Sequence, residues 1–129
     1  MFRVLISLDD RAMDELVKAS FKLFPSLTAF TVPQEKLLEL VADPHYAAVV
    51  VNLDAATAGR TAFVAELRQV NPGIEIIALV DREQKERFNK LKVDLGLFSC
   101  VVSPVDPFDL AKKVLRLEQH LREKRQLAI

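Results

Sequence analysis

Residues 46–52 read Tyr-Ala-Ala-Val-Val-Val-Asn, and this apolar stretch with a polar end decides the fold class. From Tyr46 to Val51 it lacks the polar alternation of a half-exposed strand, which is typical of a parallel strand covered by helices on both faces. This run is also the longest unbroken apolar stretch of the chain, and its six residues are far too few to cross a bilayer. We therefore expect a buried central strand and no membrane partner.

Four further short apolar runs flank this stretch, and amphipathic helical patterns separate them. The runs are Phe2–Leu8, Leu27–Val32, Ile74–Val80 and Phe98–Val102. Regular alternation of strand and helix predicts an α/β fold, a three-layer α/β/α sandwich around a five-stranded parallel sheet. The run from Leu27 contains two threonines, so we expect it at an edge of the sheet.

Composition narrows the range of functions. The 129 residues predict a single domain over residues 1–129. Lys plus Arg and Asp plus Glu each number 18, so the balanced charge argues against nucleic acid as a partner. The single cysteine, Cys100, excludes an intramolecular disulfide and a multi-cysteine zinc site. The N-terminus shows no basic segment or cleavage site of a signal peptide, so the expected location is the cytoplasm.

Polar residues follow four of the five predicted strands, at the edge where parallel α/β sheets bind ligands. They are Asp9 and Asp10 after the first run, Asn52 and Asp54 after the third, Asp81 after the fourth, and Ser103 with Pro104 after the fifth. The chain has three glycines and none directly after the first run, so a glycine-rich phosphate loop is excluded. Acidic groups at such an edge suit a hard cation such as Mg²⁺.

Four stretches of the chain match the strand ends of a known family. They are Arg3–Asp9, Tyr46–Asn52, Asn71–Val80 and Val101–Pro104. On these stretches the chain resembles the receiver domain of bacterial two-component response regulators (CheY-like). The resemblance implies a flavodoxin-like sheet of strand order 2-1-3-4-5. It also implies signalling partners, such as a histidine kinase or an output domain.

The residues that carry phosphotransfer in that family are mostly replaced here. The resemblance places Asn52 at the phosphoacceptor aspartate, and a neutral amide cannot attack a phosphoryl group as a carboxylate does. Val80 stands at the hydroxyl position and Ser103 at the lysine position. The first acid of the metal-binding pair falls on Leu8, so only Asp9 remains. The pocket is therefore predicted to be degenerate, with no cofactor and at most weak Mg²⁺ binding at Asp9 and Asp10.

For most of the remaining polar residues, a structural interpretation stands beside the functional one. Asp10 is interpreted as a cap of the first helix, or as a recruited acid of the pocket. Asp54 is either an ordinary loop acid or a displaced phosphoacceptor. Asp81 is interpreted as a helix N-cap, or as a compensating acid of the pocket. The resemblance implies that the Ser103–Pro104 peptide bond is cis.

The last helix is predicted over about residues 107–126, longer than needed to cover the sheet. Its apolar residues Leu110, Val114, Leu117 and Leu121 are spaced as in a coiled-coil seam. One interpretation packs them on the sheet. The other lets the helix end project and pair, which predicts a weak homodimer with Leu117 and Leu121 in the interface.

These observations give one leading hypothesis and two alternatives. The leading one is a degenerate receiver that acts in signal transduction as a phosphorylation-independent protein interaction module and is not an enzyme. The second is a receiver still phosphorylated on Asp54 or Asp10 in a phosphorelay. The third is a flavodoxin-like protein that binds a small ligand.

Overall fold

Strands and helices alternate along the whole described chain. The computed structural model describes residues 1–8, 10–53, 58–82 and 85–127. Within these ranges the elements are β1 (Phe2–Ser7), α1 (Arg11–Lys22), β2 (Leu27–Thr31), α2 (Gln34–Val41), β3 (Tyr46–Asn52), α3 (Ala58–Val70), β4 (Glu75–Asp81), α4 (Lys85–Leu95), β5 (Ser99–Ser103) and α5 (Pro107–Leu127). The predicted alternation is confirmed.

The strands form one parallel sheet in the order β2-β1-β3-β4-β5, as predicted. Strand β2, with its two threonines, lies at an edge, also as predicted. The strands end about one residue away from the ends of the apolar runs. Asn52 pairs in register with Leu79, and Asp81 pairs with Ser103, so the ladder includes these polar ends.

Both faces of the sheet are buried. Successive side chains of a strand point to opposite sides of the sheet, so each strand contributes to both. In β3, Ala48 and Val50 belong to a cluster with side chains of α1 and α5, whereas Val49 and Val51 belong to a cluster with side chains of α2 and α3. These two clusters form the hydrophobic core of the described residues. They require helices on both sides of the sheet.

Two helix ends show how local sequence sets the element boundaries. Asp10 precedes α1 in an extended conformation, and its Oδ1 accepts a hydrogen bond from the backbone N–H of Met13 at 3.1 Å. At the end of α4, Gly96 adopts a φ of +64°, which favours glycine. The N–H groups of Gly96 and Leu97 then bond back to the carbonyls of Val93 and Lys92, the pattern of a Schellman cap.

Helix α5 contradicts the predicted dimer interface. Leu117 and Leu121 are buried in the chain's own core, and Leu121 is 4% exposed. A side chain that its own domain covers has no surface to offer a second copy, so the interface prediction at these residues is wrong. Beyond Leu121 the helix still contacts the domain, because Lys124 Nζ donates to the Gly73 carbonyl at 2.7 Å.

We predict that Leu121→Ala lowers the free energy of unfolding by about 2–4 kcal/mol, because it leaves a cavity in the core. Leu127→Ala, at a side chain that is 87% exposed, should change it by less than about 0.5 kcal/mol. Urea unfolding measures both values. Equal costs for the two variants would contradict the assignment of Leu121 to the core.

Candidate functional site

The carboxyl ends of the strands enclose a small cleft of about 180 Å³. Its lining residues are Asp10, Met13, Asn52, Leu79, Val80, Asp81 and Ser103. Five residues singled out from the sequence are therefore brought together, although they come from four separate segments. Of the other predicted site residues, Pro104 lines a larger groove along β5. Asp9 and Asp54 lie outside the described residues.

The peptide bond between Ser103 and Pro104 is cis, as the resemblance implied. Ser103 is the last residue of β5 and lies in register with Asp81 at the end of β4. The chain thus leaves the sheet directly beside the cleft. Ser103 contributes a neutral hydroxyl to the cleft lining.

Val80 is a core residue as well as part of the cleft lining. It is 1% exposed and belongs to the hydrophobic cluster on the side of α2 and α3. An isopropyl group offers neither a donor nor an acceptor, so this position cannot hold an anion's oxygen. Its apolar contacts instead extend the core up to the end of β4.

The charges around the cleft are negative. Asp10 and Asp81 contribute carboxyl groups, and the cleft lining includes no Lys, Arg or His among the residues that the structure describes. Such surroundings disfavour a phosphoryl anion. In the described ranges no group of three His, Cys, Asp or Glu side chains could hold a metal ion. Because Asp9 and Asp54 lie outside those ranges, weak Mg²⁺ binding stays a prediction.

Asp10 has a structural role that its sequence position predicted. Its Oδ1 accepts the Met13 N–H, and an ionised carboxylate at a helix N-terminus also interacts favourably with the helix dipole. The capping interpretation of Asp10 is confirmed. Asp81 is the last residue of β4, and its proposed capping role at the next helix would involve residues 83 and 84, outside the described ranges.

The sequence prediction missed two apolar lining residues of the cleft, Met13 and Leu79. Met13 is partly buried and also packs against the hydrophobic cluster on the side of α1 and α5. A signal was nevertheless present, because Met13 lies three residues after the capping Asp10, and the first turn of a helix that follows a strand faces the strand ends. These two side chains make part of the cleft wall apolar.

Comparison with solved structures places the fold among receiver domains. The receiver domain of the response regulator AraT from Geobacillus stearothermophilus aligns with a TM-score of 0.78 and 18% identity, covering 96% of this chain and 98% of that one. A CheY-like receiver domain protein from Methanospirillum hungatei JF-1 aligns with a TM-score of 0.74 and 19% identity, covering 95% and 98%. Identities this low establish the fold alone.

A third similar structure comes from a family of streptococcal redox sensors described as having evolved from two-component response regulators. It aligns with a TM-score of 0.79 and 15% identity over 98% of this chain and 55% of that one. No model of a protein family matches the chain, and no curated protein sequence matches it. The fold is thus that of a receiver, and the chemistry of the cleft depends on the residues that line it.

We predict that Asp10→Ala lowers the free energy of unfolding by about 1 kcal/mol, because it removes the cap of α1. Asp10→Asn retains an acceptor oxygen and should keep most of that stability. Chemical denaturation of both variants tests this. An equal loss in Asp10→Asn and Asp10→Ala would show that the charge of Asp10, rather than its hydrogen bond, stabilises the helix.

Proposed function

We propose that this chain is a degenerate receiver domain that acts in signal transduction as a phosphorylation-independent protein interaction module. The observation that supports this most strongly is the chemistry of the strand-end cleft. Asn52, Val80 and Ser103 line it where phosphotransfer requires a nucleophile, a hydroxyl and a cation. Fold similarity alone would not support this assignment, since one fold hosts many functions.

Each replacement removes a different part of the reaction. The amide nitrogen of Asn52 is delocalised and neutral, so it is not a nucleophile toward phosphorus. Val80 offers no hydrogen bond to a phosphoryl oxygen, and Ser103 offers no positive charge to pair with it. A phosphoryl group in this cleft would instead face the carboxyl groups of Asp10 and Asp81. The three losses together make an aspartyl-phosphate switch chemically unsupported.

The two alternative phosphoacceptors are Asp10 and Asp54, and the structure describes only the first of them. Asp10 is engaged in capping α1, and transfer of a phosphoryl group to its carboxylate would cost that cap. Asp54 lies outside the described residues, so an experiment must test whether its carboxylate accepts a phosphoryl group.

In our proposal the partners are signalling proteins, such as a histidine kinase or an output domain, and the location is the cytoplasm. No helix in the described part of the chain is long and apolar enough to cross a membrane.

We predict that the protein gains no mass when it is incubated with acetyl phosphate and Mg²⁺. A phosphorylated aspartate would add about 80 Da, which intact-mass spectrometry resolves. A stoichiometric gain would contradict the proposal, and its loss in Asp54→Ala or Asp10→Ala would identify the acceptor. A gain that persists in both variants would place the acceptor elsewhere and would also overturn the proposal.

Asn52→Asp provides the matched variant for this experiment. It restores a carboxylate without restoring the hydroxyl or the cation, so phosphorylation should stay substoichiometric and short-lived. Partners captured from a cell extract by the wild-type protein should also be captured by Asn52→Asp, with or without acetyl phosphate. Capture that depends on acetyl phosphate in the wild type would contradict an interaction that is independent of phosphorylation.

Redox sensing through the cysteine is a separate possibility that the structure disfavours. Cys100 is partly buried in β5, and this burial raises the pKa of its thiol despite the nearby charges of Lys92 and Lys113. The thiolate is the reactive form, so a raised pKa lowers reactivity at neutral pH.

We therefore predict slow alkylation of Cys100 by iodoacetamide in the folded protein at pH 7–8. Because the pKa of the thiol is higher in the folded state than in the unfolded state, unfolding in urea should accelerate alkylation, and raising the pH should accelerate it in both states. Equal rates for the folded and urea-unfolded protein at pH 7.5 would contradict the burial of this thiol.

A further inference from the structure

A second groove, larger than the strand-end cleft, adjoins that cleft at Val80. It has a volume of about 690 Å³ and runs along β5 between α4 and α5. Its lining residues are Val80, Arg82, Asn89, Lys92, Ser99, Cys100, Val102, Pro104, Asp106, Asp109, Lys113 and Arg116. A volume of this size is typical of sites for small molecules.

The groove carries an excess of positive charge in a chain whose formal net charge is zero. Four cationic side chains line it against two carboxylates. Of the cations, Arg82, Lys92 and Arg116 form no hydrogen bond or ion pair with any residue that the structure describes. Arg82 directly follows β4, Lys92 lies in α4 and Arg116 lies in α5, so three sides of the groove present a cation.

The fourth cation and the two carboxylates are already engaged. Lys113 Nζ donates to the Cys100 carbonyl at 2.6 Å and pairs with Asp109 at 2.9 Å. Its side chain is only 18% exposed, so this ion pair is fixed in the wall of the groove. Asp106 accepts the backbone N–H of Phe108 at 3.0 Å, at the start of α5. The groups that remain available to a ligand are therefore the three cations Arg82, Lys92 and Arg116.

A buried hydroxyl in the same groove also lacks a partner. Ser99, the first residue of β5, is 8% exposed, lines the groove, and its hydroxyl forms no hydrogen bond within the described part of the chain. Burying a hydroxyl without a hydrogen bond costs free energy, so such groups generally indicate a missing partner. An anionic oxygen in the groove would accept this hydroxyl hydrogen.

We propose that this groove binds a small molecule with at least two negatively charged phosphoryl groups. Arg82, Lys92 and Arg116 would hold the phosphoryl oxygens, since a guanidinium matches phosphate with two parallel hydrogen bonds. Ser99 would donate to one further oxygen at the floor. This inference goes beyond the proposed interaction function and does not depend on it, because no step uses the strand-end cleft or a protein partner.

The test uses the whole chain and inorganic pyrophosphate as the probe, in isothermal titration calorimetry at low ionic strength. We expect saturable binding at one site, weaker at high salt because screening reduces charge attraction. Arg116→Gln and Lys92→Gln should each weaken binding about tenfold, the usual effect of losing a hydrogen bond to a charged group. Lys22→Gln, at an exposed lysine of α1 outside the groove, is the matched control and should leave the affinity unchanged.

Ser99→Ala separates a ligand role from a structural one. Removal of an unpartnered buried hydroxyl should leave the thermal midpoint unchanged or raise it, while pyrophosphate binding weakens several-fold. A lower midpoint with unchanged binding would mean that Ser99 has a structural role only. That result would remove the second support for the site and overturn the assignment of Ser99 as a donor.

Three results would overturn the proposal as a whole. The first is the absence of saturable pyrophosphate binding. The second is a loss of binding in Lys22→Gln that equals the loss in Arg116→Gln. The third is a polyglutamate peptide that binds more tightly than pyrophosphate and also depends on Arg116. The last would assign the groove to an acidic segment of a protein. Failure of pyrophosphate binding would leave the acetyl phosphate result unaffected, so the two proposals fail separately.

Discussion

The central strands have no solvent-exposed face, and the rest of the structure depends on this constraint. Every side chain of β3 from Ala48 to Val51 is buried, alternately toward α1 and α5 and toward α2 and α3. Helices must then cover both faces, and the crossover connections that supply them make the strands parallel. As a consequence all the carboxyl ends lie at one edge of the sheet. The cleft exists because of the packing, whatever residues line it.

This origin of the cleft explains how its chemistry can be lost while the fold remains. Val80 packs in the core, and a hydroxyl there would need a hydrogen-bond partner near an apolar cluster. Asp10 is retained in a role that serves the helix, since its oxygen caps α1. At these two positions the side chains serve packing and helix capping, which is consistent with the proposed phosphorylation-independent function.

Sequence predicted the elements and their order because strand burial and helix spacing are local patterns. Asp10 as a cap was also predictable, since a cap lies beside the turn that it stabilises. Leu117 and Leu121 were assigned wrongly to an interface, because spacing by three and four residues fits a stripe facing the core as well as a dimer seam. Only the position of the neighbouring helix α1 distinguishes the two.

The groove beside β5 was invisible in the sequence for a different reason. Arg82, Lys92 and Arg116 are separated along the chain, and the total charge of zero conceals a local excess. Only the packing of α5 against the sheet, through Leu110, Val114 and the other buried positions, brings the last of these cations to the others.

Val80 lies at the boundary between the two cavities, since it lines both the strand-end cleft and the groove. A polar side chain there could exchange one hydrogen-bond partner for another and so couple the occupancy of the two cavities. Valine has no hydrogen bond to exchange, and at 1% exposed it is fixed by its packing. A ligand in the groove would contact α4 and α5, whose side chains form its walls. In the proposed function, the side chain that offers no hydrogen bond to a phosphoryl group in the cleft thus also offers none to a ligand in the groove.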